Sequence, residues 1–403
     1  MEFLTTTKGQ TGLPRYFTTA FAIASRLGEG RLDFVLPDGR RFRLEGAKPG
    51  PVAELAIHNN DLFARMIREG DLGFCDAYLD GWWSSPDLQA FLDLVQMQSN
   101  NPVQDGYPGM GLVRTFERFR FWLHSNSKRQ AKKNIHAHYD LGNDFYRLWL
   151  DESMTYSSAL FQSGQESLEK AQEQKYASMV DQMGAAPGEH VLEIGCGWGG
   201  FAEYAAAQRG LRVTALTISQ AQYDFAVDRM ARAGLSDRVE IKLLDYRDER
   251  GLYDGIASIE MFEAVGERYW PTYFNTLRDR LKPGRHATLQ IITVPDDRWQ
   301  MYKRGVDFIQ KYIFPGGMLP APFRLKQEVE RAGLRLKTSI EFGESYSQTL
   351  RRWHEVFNDR WDDVARQGFD ERFRRMWNFY LTSCAGAFRG GNCDVTQITV
   401  TRP

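Results

Sequence analysis

Residues 190–200, His-Val-Leu-Glu-Ile-Gly-Cys-Gly-Trp-Gly-Gly, constrain the fold of this chain more than any other stretch. An apolar strand runs into a segment where four of six residues are glycine, and a helix pattern begins at once. Glycines let the backbone turn sharply after a strand and let a ligand approach the main chain. The pattern then repeats. RVTALTIS reads as a second strand, QAQYDFAVDRMARAG as a helix, RVEIKLLD as a third strand and YDGIASIE as a fourth. A helix from Tyr269 to Leu281 is expected to stop at Lys282-Pro283-Gly284, before a fifth strand, HATLQIITV. LRLKTSIEF and DVTQITVTRP bring the count to seven, with the polar alternation of strands near a sheet edge. Strands alternating with helices predict an α/β fold with a parallel sheet covered on both faces.

Upstream, the pattern is different. Residues 31–44 predict a hairpin turning at Asp38-Gly39. A helical stretch carrying Leu55, Leu62, Met66 and Ile67 follows, then a helix near 86–97. This predicts a small N-terminal α+β domain over 1–98, serving lipid, membrane or dimer contacts. Residues 99–133 form a linker and a basic amphipathic helix. Leu112, Phe116, Phe119 and Leu123 share one face, with Arg114, Arg118, Lys128, Arg129, Lys132 and Lys133 around them. Such a helix either lies on an anionic lipid surface or bridges domains with a solvated basic face. Residues 134–403 form the main domain.

Bulk properties narrow the function. The net charge of −1 removes any global pull toward nucleic acid or headgroups. No apolar run reaches the ~18 residues of a membrane span, and MEFLTTTKGQTGLPRYF lacks the pattern of a secretory leader. The cysteines at 75, 196, 384 and 393 form no CxxC pair, so free thiols in a reducing cytosol are expected. His136 and His138 are spaced like two metal ligands, but no third clusters beside them, and no metal site is expected.

The glycine loop has three features of an S-adenosylmethionine site. Glu193, Gly195, Gly197 and Gly199 give ExGxGxG rather than GxGxxG. The second strand ends in Thr217-Ile218-Ser219, without the acidic residue expected for an NAD ribose. Asp245-Tyr246-Arg247 then follows the third strand, where a methyltransferase places residues around the adenine.

Six stretches together resemble the cyclopropane fatty acid synthase and mycolic acid methyltransferase family. They are His138–Asp144 (HYDLGND), Met154–Ala159 (MTYSSA), VLEIGCGWGG with TIS, Met261-Phe262-Glu263, Lys311–Gly317 (KYIFPGG) and Cys384–Arg389 (CAGAFR). The resemblance covers about 131 to the C-terminus, and the preceding domain is similar to that of two-domain phospholipid enzymes. It implies a Rossmann-like class I methyltransferase that adds a methyl group to the cis double bond of an unsaturated phospholipid. It also implies a cytoplasmic enzyme held peripherally at the inner membrane face, and a homodimer. Tyr156, Ser157, Gln222, Tyr246 and Arg247 then join the glycine loop, Thr217 and Ser219 at the cofactor. HYDLGND is expected to cover it. The family holds bicarbonate at the reaction centre, and the resemblance carries its ligands onto Glu263, Tyr346 and the Ile292 backbone, with Cys384 on the pocket wall.

Two positions depart. Ser158 stands where many cyclopropane synthases have cysteine, and Gln290 where they have histidine. If only the backbone amide of 158 holds the ion, the first change matters little. The second keeps a hydrogen-bond donor but loses a titratable group. Methyl transfer to an alkene leaves a carbocation, and the base that ends it decides the product. Loss of a proton from the new methyl closes a cyclopropane. A hydride shift, or loss of a neighbouring proton, gives a methyl-branched alkene, the outcome favoured here. Trp149, Tyr156, Phe262, Tyr312, Phe314, Tyr346 and Tyr380 are candidate walls around the cation, although most aromatics are core. A methyltransferase for a small soluble substrate and an inactive lipid-binding protein are the rival readings.

Overall fold

A computed structural model describes residues 3–97 and 141–403. The linker, the basic segment, His136 and the first three residues of HYDLGND, 138–140, lie outside the described residues.

The N-terminal part is a four-stranded sheet with helices. β1 (Glu29–Val35) and β2 (Arg41–Glu45) form the expected antiparallel hairpin, with Gly39 at φ +87 in the turn. β3 (Lys48–Ile57) runs parallel to β1, and β4 (Trp83–Ser84) closes the order β2-β1-β3-β4. β3 corrects the reading of Leu55 as helical. Leu55 is a buried strand residue, and the helix starts at Leu62. Its Lys-Pro-Gly-Pro start conceals the ten-residue strand, whose alternation in burial begins only after it. Helices Leu62–Leu79 and Leu88–Met97 follow.

The second part is the predicted seven-stranded α/β sheet. Its strands are β5 (His190–Ile194), β6 (Arg212–Thr217), β7 (Val239–Leu243), β8 (Tyr253–Ile259), β9 (Leu281–Thr293), β10 (Arg335–Glu341) and β11 (Asp394–Thr401). Their order is β10-β11-β9-β8-β5-β6-β7. β5 to β9 pair in parallel, whereas β11 is antiparallel to both β9 and β10. Of the closing pair, only β10 is an edge, exposed along its length. β11 is buried between its neighbours. The helix Trp270–Arg280 ends where expected, but β9 begins at Leu281 and carries the Lys-Pro-Gly step, with Gly284 at φ +74.

The two parts share one apolar core. Phe17, Phe42, Leu62 and Trp83 belong to the same buried cluster as Phe145, Trp149, Trp353 and Trp377. The order reversal at β5, whose neighbours β6 and β8 lead to opposite edges, puts a crevice at the carboxyl ends of β5, β6 and β8.

Candidate active site

The cofactor side is built around β5. Gly195, Gly197 and Gly199 have φ of +83, +52 and +84, which L side chains rarely adopt. A Cβ on Gly195 would lie 2.7 Å from the Met261 side chain, while one on Gly197 would enter open space. Glu193 is buried on the cavity wall, and its Oε2 has no hydrogen-bond partner among the described residues. Burial pushes its carboxyl up to about 8. An orphaned acceptor beside an open glycine cradle fits S-adenosylmethionine, whose amino-acid end supplies donors. Thr217 and Ser219 shape the next turn. Thr217 Oγ1 donates to Gln222 Oε1 at 2.9 Å and accepts from Ser219 N, and Ser219 Oγ caps the helix Gln220–Arg232. Arg247 grips Asp245 through both carboxylate oxygens, at 2.8 and 2.6 Å, which sets Tyr246 along the wall. Glu193, Gly195, Gly197, Tyr156, Ser157, Thr217, Gln222, Tyr246 and Arg247 all line one cavity, while Gly199 faces Ala226 and Met230 of the next helix and Ser219 stands behind as the cap.

Across that cavity lies a second acidic centre. Glu260 ends β8 with φ +47, a costly backbone for a residue with a Cβ. Its carboxylate accepts three hydrogen bonds. Ser158 N and Gln290 Nε2 both donate to Oε1 at 2.8 Å, and Tyr346 OH donates to Oε2 at 2.7 Å. Gln290 is aimed by its neighbours, since Gln397 Nε2 donates to its Oε1 and its Nε2 also reaches Ser158 O. Burial raises the Glu260 carboxyl, while the Tyr346 and Gln290 bonds and the charge of Lys175 oppose it. Glu263 has the opposite endowment. Oε1 takes one bond, from Ile292 N at 2.5 Å, and buried Oε2 has none among the described residues. Burial, and then the charge of Glu260, push Glu263 up to about 8.

Behind this centre, helix Leu168–Met183 pins the loop 156–159. Gln172 Nε2 donates to Ser157 O at 3.0 Å and Lys175 Nζ to Ser157 Oγ at 2.7 Å. Lys175 is wholly buried, and desolvation lowers it to about 7 against the pull of Glu260, Asp151 and Glu193. Three buried carboxyls thus act on one buried lysine.

Ser158, Gln290 and Tyr346 therefore converge as expected, but on Glu260, which the sequence reading left out. Its signal was present: a charged residue at the carboxyl end of an apolar parallel strand sits on the ligand edge of such a sheet. The bicarbonate implied by the family does not fit. Its expected donors, Ser158 N, Gln290, Tyr346 and Ile292 N, are already spent on Glu260 and Glu263, and two carboxyls would face the anion. Ser158 Oγ turns away to Ala159 O, so only the backbone of that residue serves the centre. Cys384 lines the cavity, with burial raising its thiol well above the usual range. Of the candidate walls, Tyr156, Phe314, Tyr346 and Tyr380 line the cavity, and Tyr156 and Tyr380 share a hydroxyl bond of 2.8 Å. Trp149 and Phe262 are core, and Tyr312 bonds Asp76 of the N-terminal part. From HYDLGND, Asn143 is described. It accepts from Trp198 Nε1 at 2.8 Å and donates to Ala221 O, joining the glycine loop to the next helix. All four cysteines are free.

The comparisons with known proteins bear on the family and the fold. The family model for mycolic acid cyclopropane synthetase matches residues 126–398. Tuberculostearic acid methyltransferase UfaA1 of Mycobacterium tuberculosis is 40% identical over 366 residues, 89% of this chain and 85% of its own length. The cyclopropane-fatty-acyl-phospholipid synthase of Escherichia coli K12 is 35% identical over 360 residues, 89% of this chain and 90% of its own. Among solved structures, the cyclopropane synthase MmaA2 of M. tuberculosis superposes with a TM-score of 0.63 at 29% identity, over 67% of this chain and 97% of that one. The mycolic acid cyclopropane synthase CmaA1, solved with S-adenosylhomocysteine, gives the same values.

Proposed function

Because this chain belongs to the mycolic acid cyclopropane synthetase family, we propose that it methylates the cis double bond of an unsaturated phospholipid acyl chain and releases a methyl-branched, still unsaturated product. It is an S-adenosylmethionine-dependent methyltransferase acting on lipid acyl chains. The cofactor, when bound, supplies an electrophilic methyl group. The residues of the chain must place the alkene against it, exclude water and take up one proton.

The observation that carries the reading is the Glu260 carboxylate, held by three donors at the centre of the cavity. Its three bonds and the nearby Lys175 oppose the burial that raises its carboxyl, and a carboxyl so held in the cavity serves as the base. With the cofactor bound, the alkene's electron pair would form the new carbon–methyl bond as the methyl–sulfur bond breaks with its electrons going to sulfur, and the cation would be left on the neighbouring chain carbon. After a hydride shift, or directly from an adjacent carbon, one C–H bond breaks. Its electrons form the new double bond, and Glu260 takes the proton. Atoms and charge balance without a reductant. A base fixed on the protein, rather than a small ion free to follow the new methyl, favours this route over ring closure. Glu263, raised to about 8, is largely protonated near neutral pH and forms a neutral wall. Tyr156, Phe314, Tyr346 and Tyr380 face the cation with π-clouds and keep water out.

Tuberculostearic acid methyltransferase, named for methyl transfer rather than for cyclopropane formation, supports this outcome. The cyclopropane-fatty-acyl-phospholipid synthase supports a phospholipid substrate and keeps ring closure as the second reading. No helix among the described residues is long and apolar enough to cross a membrane. The lipid is then met at a membrane surface, through the basic segment 114–133. A homodimer belongs to the same reading and is tested by light scattering. The function itself is tested by incubating the enzyme with labelled S-adenosylmethionine and vesicles of unsaturated phospholipid, then analysing the fatty acids by mass spectrometry. Label in the acyl chain is expected. Transfer to small soluble acceptors alone would overturn it.

A further inference from the structure

The cavity at the reacting centre does not stop at the catalytic sheet. It continues into the N-terminal part, where Phe34, Leu55, Phe63, Phe74, Phe91 and Leu94 line it. Every N-terminal residue on its wall is apolar or glycine, except Arg26, Glu69, Asp71 and Gln96. Its volume of ≈ 1110 Å³ exceeds the range of about 300–1,000 Å³ common for small-molecule pockets. The cofactor explains the glycine-loop end, but its polar groups have no match among phenylalanines and leucines. Water gains little in such a space, because it finds too few polar partners. The chemistry of this lining suits a long hydrocarbon.

Two contacts fix the N-terminal part to the walls of the reacting centre. Helix Leu88–Met97 packs on helix Glu371–Arg389, which carries Tyr380 and Cys384. There Asp93 accepts from Arg351 at 2.9 Å and from Arg389 at 2.8 Å, and Gln89 Nε2 donates to Thr382 O. A Cβ on Gly386 would lie 3.2 Å from Asp93 Oδ1, so the helices approach closely there. The second contact uses the KYIFPGG motif. Asp76 accepts from Tyr312 OH at 2.6 Å and from Lys311 Nζ at 3.0 Å. Two residues on, the Phe314 ring lies 6.1 Å from Tyr380 and 6.5 Å from Tyr156. The motif is a strap from the N-terminal helix Leu62–Leu79 to the aromatic wall.

We propose that the N-terminal part is one half of the substrate site: the acyl chain passes from the Glu260 centre into this apolar interior, which sets how far the reacting double bond lies from one end of the chain. The inference rests on the acyl-chain reading above and adds where the chain runs. It gives the N-terminal part a role in choosing the double bond.

The test narrows that half without touching the reacting residues. Ala24 and Leu72 line the cavity and are only half-buried, so Ala24→Trp and Leu72→Trp fill it with little disturbance of the core. Phospholipids whose cis double bonds differ in position are offered together, and the methylated products are counted by mass spectrometry. The ratio of products is expected to change by about tenfold, as when a pocket gains or loses a methylene or two, while cofactor affinity and melting temperature hold. If both folded variants keep the wild-type ratio, the inference is wrong. If a variant loses turnover, a shorter acyl chain should restore it, and no recovery would equally overturn the proposal. A phospholipid with a photoreactive group along its acyl chain gives a readout free of turnover. Labels are expected on peptides spanning 20–34, 55–75 or 88–97, and labels confined to residues beyond 141 contradict it. Wild-type enzyme that methylates no phospholipid would instead sink the functional reading, leaving photolabelling to judge where a chain binds.

Discussion

The two walls of the cavity solve different problems. The wall at β5 and β6 is made of glycines and a capped turn, and it offers space. The wall at β8 and β9 is made of side chains that hold one another, and it offers a charge in a fixed place. Glu260 has three donors, whereas Glu263, three residues on, has one and an oxygen with none among the described residues. A backbone wall of this kind binds a cofactor in many reactions. A side-chain wall decides what happens to one cation.

The sharpest break in this comparison is at Glu260. Glu260→Gln should cost about 10²–10⁴ in kcat, the usual worth of a general base, with cofactor affinity unchanged in calorimetry. Normal turnover would remove Glu260 from the chemistry. Glu260→Gly frees Ser158 N, Gln290 and Tyr346 together, and a small added carboxylate such as bicarbonate should then restore part of the rate. On the opposite wall the effects reverse. Gly197→Val forces a branched residue into φ +52 and fills the open cradle, so S-adenosylmethionine should bind at least about tenfold more weakly. Unchanged affinity would misplace the cofactor.

Glu263→Gln should be milder, about tenfold in kcat with little change in cofactor binding, because a carboxyl raised to about 8 is already mostly neutral at pH 7. A loss equal to that of Glu260→Gln would make the two carboxyls one unit. Lys175 supplies a pH test. Its charge lowers the Glu260 carboxyl, and burial holds Lys175 itself near 7. In Lys175→Met the base should ionise at higher pH, and the acidic limb of the kcat profile should move up. A limb that stays in place, in a variant of unchanged melting temperature, would make Lys175 scaffold only. The smallest effect is expected in the basic segment. Charge reversal in Arg114–Lys133 should weaken vesicle binding a few-fold and flatten its salt dependence, since attraction to a charged lipid surface is screened within about 10 Å at 0.1 M salt.

The two walls also differ in how legible they were in the sequence. The glycine wall is written in consecutive residues, and its strand, turn and helix follow from local sterics. The parallel strands β5 to β9 were readable for the same reason. The carboxylate wall is assembled from residues near 158, 260, 290 and 346, which only the fold brings together. Resemblance supplied Ser158, Gln290 and Tyr346, but their shared acceptor fell in a position the motifs do not mark. Lys175 stands in a charged helical stretch, where burial of a single lysine leaves no periodic trace. β3 was hidden by its Lys-Pro-Gly-Pro start, and the antiparallel insertion of β11 by the lack of any pairing signal in an isolated strand. The continuity of the N-terminal core with Trp353 and Trp377 depends on packing between segments far apart in sequence.

The central claim is that a carboxylate fixed on the protein ends the cation by forming an alkene. Proton NMR of the lipid made by the wild-type enzyme tests it most directly. Vinylic or methylene signals beside a new branch methyl are predicted, and upfield cyclopropane methylene signals as the sole product would contradict it.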